Sequence, residues 1–380
     1  MDNKQQQVPI EVLIDSTLPT KIITKKQREL QQPRSILTRL HAGYFRISLS
    51  LCSQALIWKT LGEQRNDDLD DIRRVVQMLP SATFILLWAF SLFILSILSV
   101  LYTLKCIFYF DTVKAEFLDD VGVNYLFAPW ISWLLLLEAA PFTPPQTTYV
   151  ILWWAIALPI VALDVKIYGQ WFTKGRRFLS SVANPTSQLS VLGNLVCART
   201  AAEIGWKEIA ISLFSLSMAH YLVLFVTLYQ RFSASDRIPA MLRPVFFLFF
   251  AAPSMASLAW CSIIEKFDTA SKMLFFLSLF LFFSLVSRPS LFKKSMRRFN
   301  VAWWAYSYTL TVLALASAEY AEEVNSRIAH VFMLMLSALS ALVTLGLLLS
   351  TALNSDTLMM HKDDQVFNDN SKHFRKAEDN

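Results

Sequence analysis

The chain has 380 residues, of which 54% are hydrophobic and 17% charged, and its mean hydropathy is +0.42. Soluble domains carry about 25% charged residues, so the composition excludes an ordinary soluble protein and points to an integral membrane protein. The net charge of +6 is, in such a chain, a topology signal before it is a nucleic-acid signal.

Residues 1–40 are polar and basic, with Lys4, Lys21, Lys25, Lys26, Arg28, Arg34 and Arg39. They read as a mostly disordered cytosolic tail with no signal-peptide pattern, so the first membrane helix is expected to direct insertion. Residues 41–355 are expected to form one transmembrane domain, and 356–380 a second cytosolic tail. The cysteines Cys52, Cys106, Cys197 and Cys261 stand singly, without metal or redox spacing, and read as packing residues.

A helix needs about 20 residues to cross a bilayer. On that measure ten spans are expected, at 43–61, 80–108, 122–139, 147–169, 185–203, 209–232, 244–264, 266–289, 300–317 and 328–354. An even count puts both tails on one side. The loops holding Lys174, Arg176 and Arg177, then Arg231, Arg237 and Arg243, then Arg288 to Arg298 fall on that side too. Pro141-Phe142-Thr143-Pro144-Pro145-Gln146, on the other side, has no basic residue. This is the asymmetry of the positive-inside rule. The loop around Arg65, Arg73 and Arg74 departs from it.

The even spans are long and lipid-like. Several odd spans contain proline or small polar residues at or near their apolar centres: Pro129 in the third, Pro253 in the seventh, and Pro185 opening the fifth ahead of Ser187, Gln188 and Ser190. Pro159, in the fourth, breaks the pattern. Proline frees a carbonyl and bends a helix, which hydrocarbon tolerates only where protein or water re-satisfies the backbone. The fold class expected is therefore all-α integral membrane, five helical hairpins with odd helices inside and even helices outside, around a central pore.

Chemistry is sparse. Glu138 is placed at the end of the third span. Arg199 and Glu203 stand four apart and are expected to pair. Arg46 is expected to snorkel to the cytosolic face, Lys272 to pair with Asp268, and His220 to be a packed or hydrogen-bonded histidine. No nucleophile elbow, phosphate-binding glycine loop or zinc-protease motif is present, so no enzyme, cofactor or metal is expected. What remains is a path lined by small, hydroxylic and aromatic side chains behind a basic vestibule, which suits anions: a deep fixed cation would hold them too tightly to conduct.

Six words of sequence carry a resemblance. His41-Ala42-Gly43-Tyr44-Phe45-Arg46, Cys52-Ser53-Gln54-Ala55, and Val123-Asn124-Tyr125-Leu126-Phe127-Ala128-Pro129-Trp130 are three. The others are Asp164-Val165-Lys166-Ile167-Tyr168-Gly169-Gln170-Trp171, Ala251-Ala252-Pro253-Ser254, and Phe299-Asn300-Val301-Ala302-Trp303-Trp304. Together they resemble the plant slow-type (S-type) anion channels, closest to short-tailed homologues of the guard-cell channel, and more distantly the bacterial tellurite-resistance and dicarboxylate transporters. The resemblance implies ten helices around a pore in each subunit, a homotrimer, and chloride and nitrate permeation at the plasma membrane.

In that family the ninth span commonly reads Trp-Trp-Ser/Ala-Tyr-Thr/Ser-Phe-Pro, with the phenylalanine as an occluding gate. The matching positions here are Tyr308 and Thr309, which makes Tyr308 the gate by resemblance. Phe45, Phe127, Pro129, Pro253 and Thr309 are the further lining candidates. Thr24, Ser35 and Ser295 lie beside basic residues and are the candidate sites for a protein kinase. Two other readings stay open: an electrically silent subunit of a heterotrimer with related channel subunits, motivated by Tyr308, Thr309 and the short tail, and a proton-coupled organic-anion carrier, which the shortage of proton sites disfavours.

Overall fold

The computed structural model describes residues 36–63, 81–173, 183–233, 240–289 and 299–354. Every regular element among them is helical: α1 (Phe45–Glu63), α2 (Ser81–Phe108), α3 (Phe110–Leu118), α4 (Phe127–Glu138), α5 (Gln146–Thr173), α6 (Gln188–Glu203), α7 (Lys207–Ser233), α8 (Leu248–Ile264), α9 (Thr269–Val286), α10 (Trp304–Val324) and α11 (Arg327–Leu353). Short turns lead into five of them.

The helices sort by burial. Almost every residue of α6 and most of α1, α4, α8 and α10 is buried. By contrast α2, α9 and α11 turn Leu86 and Phe93, Phe280 and Phe283, and Leu342 and Leu349 outward. Contiguous exposed apolar surface of this kind is unfavourable in water and natural against lipid. The chain is a multi-pass membrane protein.

The buried helices form a closed ring, in which α1 packs on α4, α4 on α6, α6 on α8, α8 on α10, and α10 on α1. Each exposed helix backs a seam of that ring. Thus α2 lies against α1 and α4, α5 against α4 and α6, α7 against α6 and α8, α9 against α8 and α10, and α11 against α10 and α1.

Among the described residues, six helical segments are long and apolar enough to cross a membrane, or seven if the bent pair Phe110–Leu118 and Gly122–Glu138 counts as one span. The ten expected spans exceed that number for a physical reason. Helix α6 has only 16 residues, and α1 and α10 carry Arg46, Gln54, Glu319 and many hydroxyls. Buried inside protein, these helices need not be hydrophobic all round. The apolar stretch of α2 is 11% buried, while that of α8 is 78% buried.

Hydroxyls bind the two rings together. Ser217 of α7 donates to the Val191 carbonyl at 2.8 Å, Ser257 of α8 to the Ser271 carbonyl at 2.7 Å, and the Trp153 indole of α5 to Thr200 at 2.9 Å. The Gln54 amide nitrogen of α1 lies 2.9, 2.5 and 2.9 Å from the hydroxyls of Thr311, Ser340 and Thr344, and its two N–H groups join α1 to α10 and α11. With no water to serve them in hydrocarbon, such groups act as glue between helices. This changes the reading of the serines and threonines as pore wall, since these hydroxyls face seams.

Helix α3 was not anticipated. Asp111, Lys114 and Glu116 interrupt the apolar pattern there, and the chain bends by 106° between α3 and the segment that follows. Glu116 fixes the bend: it is ion-paired with the buried Lys105, accepts from the Tyr102 hydroxyl at 3.0 Å, and accepts from the Ala42 N–H at 3.4 Å. Helix α10 also runs past the expected 317, because Ala and Glu continue it to Val324, where Asn325 closes it in the left-handed region at φ 46°. Where α7 begins and α8 ends, Lys207 reaches Glu265 at 2.6 Å, and that exposed pairing holds the Glu265 carboxyl below its ordinary range.

Candidate pore and its two mouths

The ring has a direction. The turns that lead into its helices, Ala42–Tyr44, Gly122–Tyr125, Pro185–Ser187, Ala240–Phe247 and Val301–Trp303, touch one another in a second closed ring. All five inner helices therefore start at one end. Four of the leading turns carry a described side-chain cap. His41 Nδ1 accepts from the Gly43 N–H at 3.1 Å, Asn184 Oδ1 from Thr186 at 2.9 Å, Asn300 Oδ1 from Ala302 at 2.9 Å, and Asp119 Oδ2 from Gly122 at 2.6 Å.

Five parallel helix dipoles aimed at one mouth give it a positive potential and leave the far mouth negative. Both described ends of the chain lie at the positive mouth: Leu40 just precedes the first leading turn, and Thr351, near the end of α11, accepts from the Trp304 indole at 3.1 Å. The basic residues of 174–177, 237 and 290–298, and the kinase candidates Thr24, Ser35 and Ser295, lie outside the described residues.

Tyr308 sits one turn into α10. Tyr308 is 1% exposed, and its hydroxyl has no hydrogen-bond partner among the described residues. Thr309, also buried, spends its hydroxyl on the Ala305 carbonyl at 2.9 Å. The other lining candidates are placed differently. Phe45 meets Tyr102 of outer helix α2 edge-on, with ring centroids 5.8 Å apart. Phe127 fills the space over Gly193, where an added Cβ would stand 3.2 Å from its Cδ1 and 3.3 Å from Ile160 of outer helix α5. The Phe45 ring thus contacts an outer helix, and the Phe127 ring lies over inner helix α6. Pro129 is half-buried near the start of α4, and Pro253 is buried within α8.

Arg46 corrects an expectation. It is 7% exposed rather than snorkelling out; its Nε donates to the Gly43 carbonyl at 2.9 Å and its guanidinium lies 4.6 Å from the Tyr125 ring centre. Asp268 is likewise no partner of Lys272: its carboxylate caps α9 through the Ser271 N–H at 3.0 Å and accepts from Trp260 at 3.2 Å. His220 is buried and bonded to Ser190 at 3.2 Å, as expected.

The far mouth was not legible as a unit. Arg199 pairs with Glu203 one turn on, at 3.4 Å, as expected, but its Nε also lies 2.9 Å from Glu138 Oε1 on α4. The two read separately as interfacial residues, 61 positions apart in sequence. They help enclose a cavity of about 340 Å³ between α1, α4, α6 and α10. No group of three or more His, Cys, Asp or Glu among the described residues is arranged to hold a metal ion.

Comparison with known proteins places the chain in a family. Residues 39–352 match the family described as voltage-dependent anion channel, SLAC1. The chain belongs to the SLAC1 family. It is 54% identical to the S-type anion channel SLAH1 of Arabidopsis thaliana over 95% of this chain and 94% of that one. It is 40% identical to the guard cell S-type anion channel SLAC1 of the same plant, over 86% of this chain and 58% of the longer relative. A tellurite resistance protein TehA homologue of Haemophilus influenzae is 25% identical over 74% of the chain. The SLAC1 family is a family of anion channels and not of enzymes.

Proposed function

We propose that this chain is a slow-type anion channel subunit that passes chloride and nitrate down their gradients across the plasma membrane. In this reading it crosses the bilayer ten times as five hairpins, with the mouth where the inner helices begin, and both tails, in the cytosol. Three copies assemble, each with its own pore, and the Tyr308 ring closes the path as a hydrophobic constriction does, by excluding water.

The observation that carries the reading is the ring of five inner helices that all start at one mouth. An anion arriving there meets five helix N-termini, with basic loops adjacent in sequence to concentrate it. Tyr308 supports the gate: a bulky ring on an inner helix, buried, with a hydroxyl that no side chain holds. The weaker lining candidates are Thr309 and Pro253; Phe45 and Phe127 are assigned to packing.

The test is whole-cell current from the chain expressed alone, in nitrate and then chloride, beside Tyr308→Ala. Current that follows the anion gradient and ignores the pH gradient, larger in the variant, is the expected result. Silence from both, with surface expression verified, overturns the self-sufficient channel and favours a subunit that conducts only with related chains. Current coupled to the pH gradient favours a carrier.

A further inference from the structure

The wall of the far cavity holds an unusual set of charges. Lys59 and Glu63 come from α1, Glu138 from α4, Arg199 and Glu203 from α6, and Glu319 and Glu322 from α10. Five carboxylates against two cations make this a mouth that repels anions, at the end where the inner-helix dipoles are also negative. For a path that anions traverse, one feature must offset this.

Arg199 is placed to do so. It is 7% exposed, and its Nη1 is buried with no hydrogen-bond partner among the described residues. Glu138 is buried too, and among the described residues neither of its oxygens accepts a hydrogen bond. Its carboxylate faces Arg199 through charge, while the Arg199 Nε–H is directed to Glu203. Lys59 donates its hydrogen bond to the main-chain carbonyl of Glu138, at 2.8 Å, rather than to the carboxylate. The pair is therefore a buried cation and a buried anion held together with hydrogen-bonding capacity unused on both. Buried groups of this kind are ordinarily bonded, so the unused capacity points to a ligand.

We propose that Arg199 is an anion-binding subsite at this mouth, and that the Glu138 carboxylate occupies it in place of the permeating ion. The inference rests on the channel reading for its physiological meaning, not for its geometry. A guanidinium presents a planar fork suited to a planar oxyanion, so nitrate is the ligand class favoured, with halide as a weaker competitor. The cavity is several times the volume of one water molecule, about 30 Å³, and admits an ion with part of its hydration shell. Entry of the anion requires Glu138 to swing off Arg199 or lose its charge.

The experiment uses the purified full-length chain in detergent at constant ionic strength. Nitrate is titrated against gluconate and followed by thermal unfolding. Glu138→Gln, which keeps the side-chain shape and removes the competing charge, is expected to bind nitrate about tenfold more tightly than wild type. The double variant Glu138→Gln/Arg199→Gln, which leaves neither charge uncompensated, is expected to lose that gain. Unchanged affinity in Glu138→Gln, or a gain that survives in the double variant, overturns the proposal. Should Glu138→Gln not fold, Glu138→Asp withdraws the carboxylate by one methylene and is expected to bind more tightly than wild type; no gain there is equally fatal. Binding is read without current, so a silent channel with Arg199-dependent nitrate binding refutes conduction and not the subsite. A conducting channel without such binding does the reverse.

Discussion

The Tyr221 hydroxyl of α7 lies 3.3 Å from the carbonyl oxygen of Phe249 in α8. That carbonyl is the one Pro253, four residues on, has no N–H to bond. The next carbonyl along the helix, that of Phe250, accepts from Ser254 at 2.9 Å and from Ser278 of α9 at 2.7 Å. The backbone around the proline of this inner helix is thus satisfied by side chains of both outer helices that flank it, as an apolar surrounding demands.

This relationship predicts coupling between two substitutions. Tyr221→Phe is expected to destabilise the protein by about 0.6 kcal/mol, the average for such bonds in membranes. In a Pro253→Ala background the restored N–H serves the Phe249 carbonyl, so the same change is expected to cost close to nothing. Equilibrium unfolding in detergent of the two single variants and the double variant measures the difference. Equal costs in both backgrounds mean the hydroxyl does not serve the kink.

Gly193 sets how closely α6 approaches α4 and α5. A Cβ there would meet Phe127 at 3.2 Å and Ile160 at 3.3 Å, tighter than packed side chains accommodate without movement. Gly193→Val is therefore expected to destabilise by about 1–3 kcal/mol through overpacking. Phe127→Leu, made in that background, is expected to recover part of the loss. The readout is the unfolding midpoint, and a Gly193→Val variant as stable as wild type would show that the seam has slack.

How much of this was legible follows from where the signals reside. The all-helical character and the long outer spans were legible because apolar runs bounded by Pro, Gly and charge are local features, whereas six or seven of the ten expected spans are long and apolar enough to cross a membrane among the described residues. The placement of Pro129, Pro185 and Pro253 marked the buried helices. The partners of buried polar groups were not legible. Gln54 finds Thr311 and Ser340 more than 250 positions away, and Glu138 finds Arg199 across a seam. A one-dimensional pattern gives the position of a charge relative to an apolar run and not its neighbour in space. Arg46 was misjudged for the same reason: the Tyr125 ring that receives it belongs to another hairpin. His41, Asn184 and Asn300 did leave a signal, a capping side chain two residues ahead of the N–H it accepts from.

The Lys105–Glu116 pair predicts a strong asymmetry between single and double substitution. Lys105 is 1% exposed and also donates to the Leu40 carbonyl at 2.5 Å. Lys105→Met leaves the Glu116 charge uncompensated and is expected to cost about 3–5 kcal/mol. Lys105→Met/Glu116→Gln removes both charges and is expected to recover most of it. Detergent-solubilised yield and unfolding midpoint report the outcome. A double variant no better than the single would assign the cost to the lost Leu40 contact instead.

Tyr308 separates what its ring does from what its hydroxyl does. Leaving a buried hydroxyl unpartnered costs about 1–3 kcal/mol, so Tyr308→Phe is expected to raise stability while keeping the ring proposed as the gate. Tyr308→Ala removes ring and hydroxyl together, and is expected to lower stability by about 3–5 kcal/mol, as large aromatic truncations do, while raising anion current. The two variants are compared for unfolding midpoint and for current at equal surface expression. Current from Tyr308→Phe equal to wild type, with Tyr308→Ala well above both, assigns closure to the ring. A rise in current with Tyr308→Phe alone, accompanied by lower stability, would mean instead that the hydroxyl holds the path shut through a bond to water or across the pore.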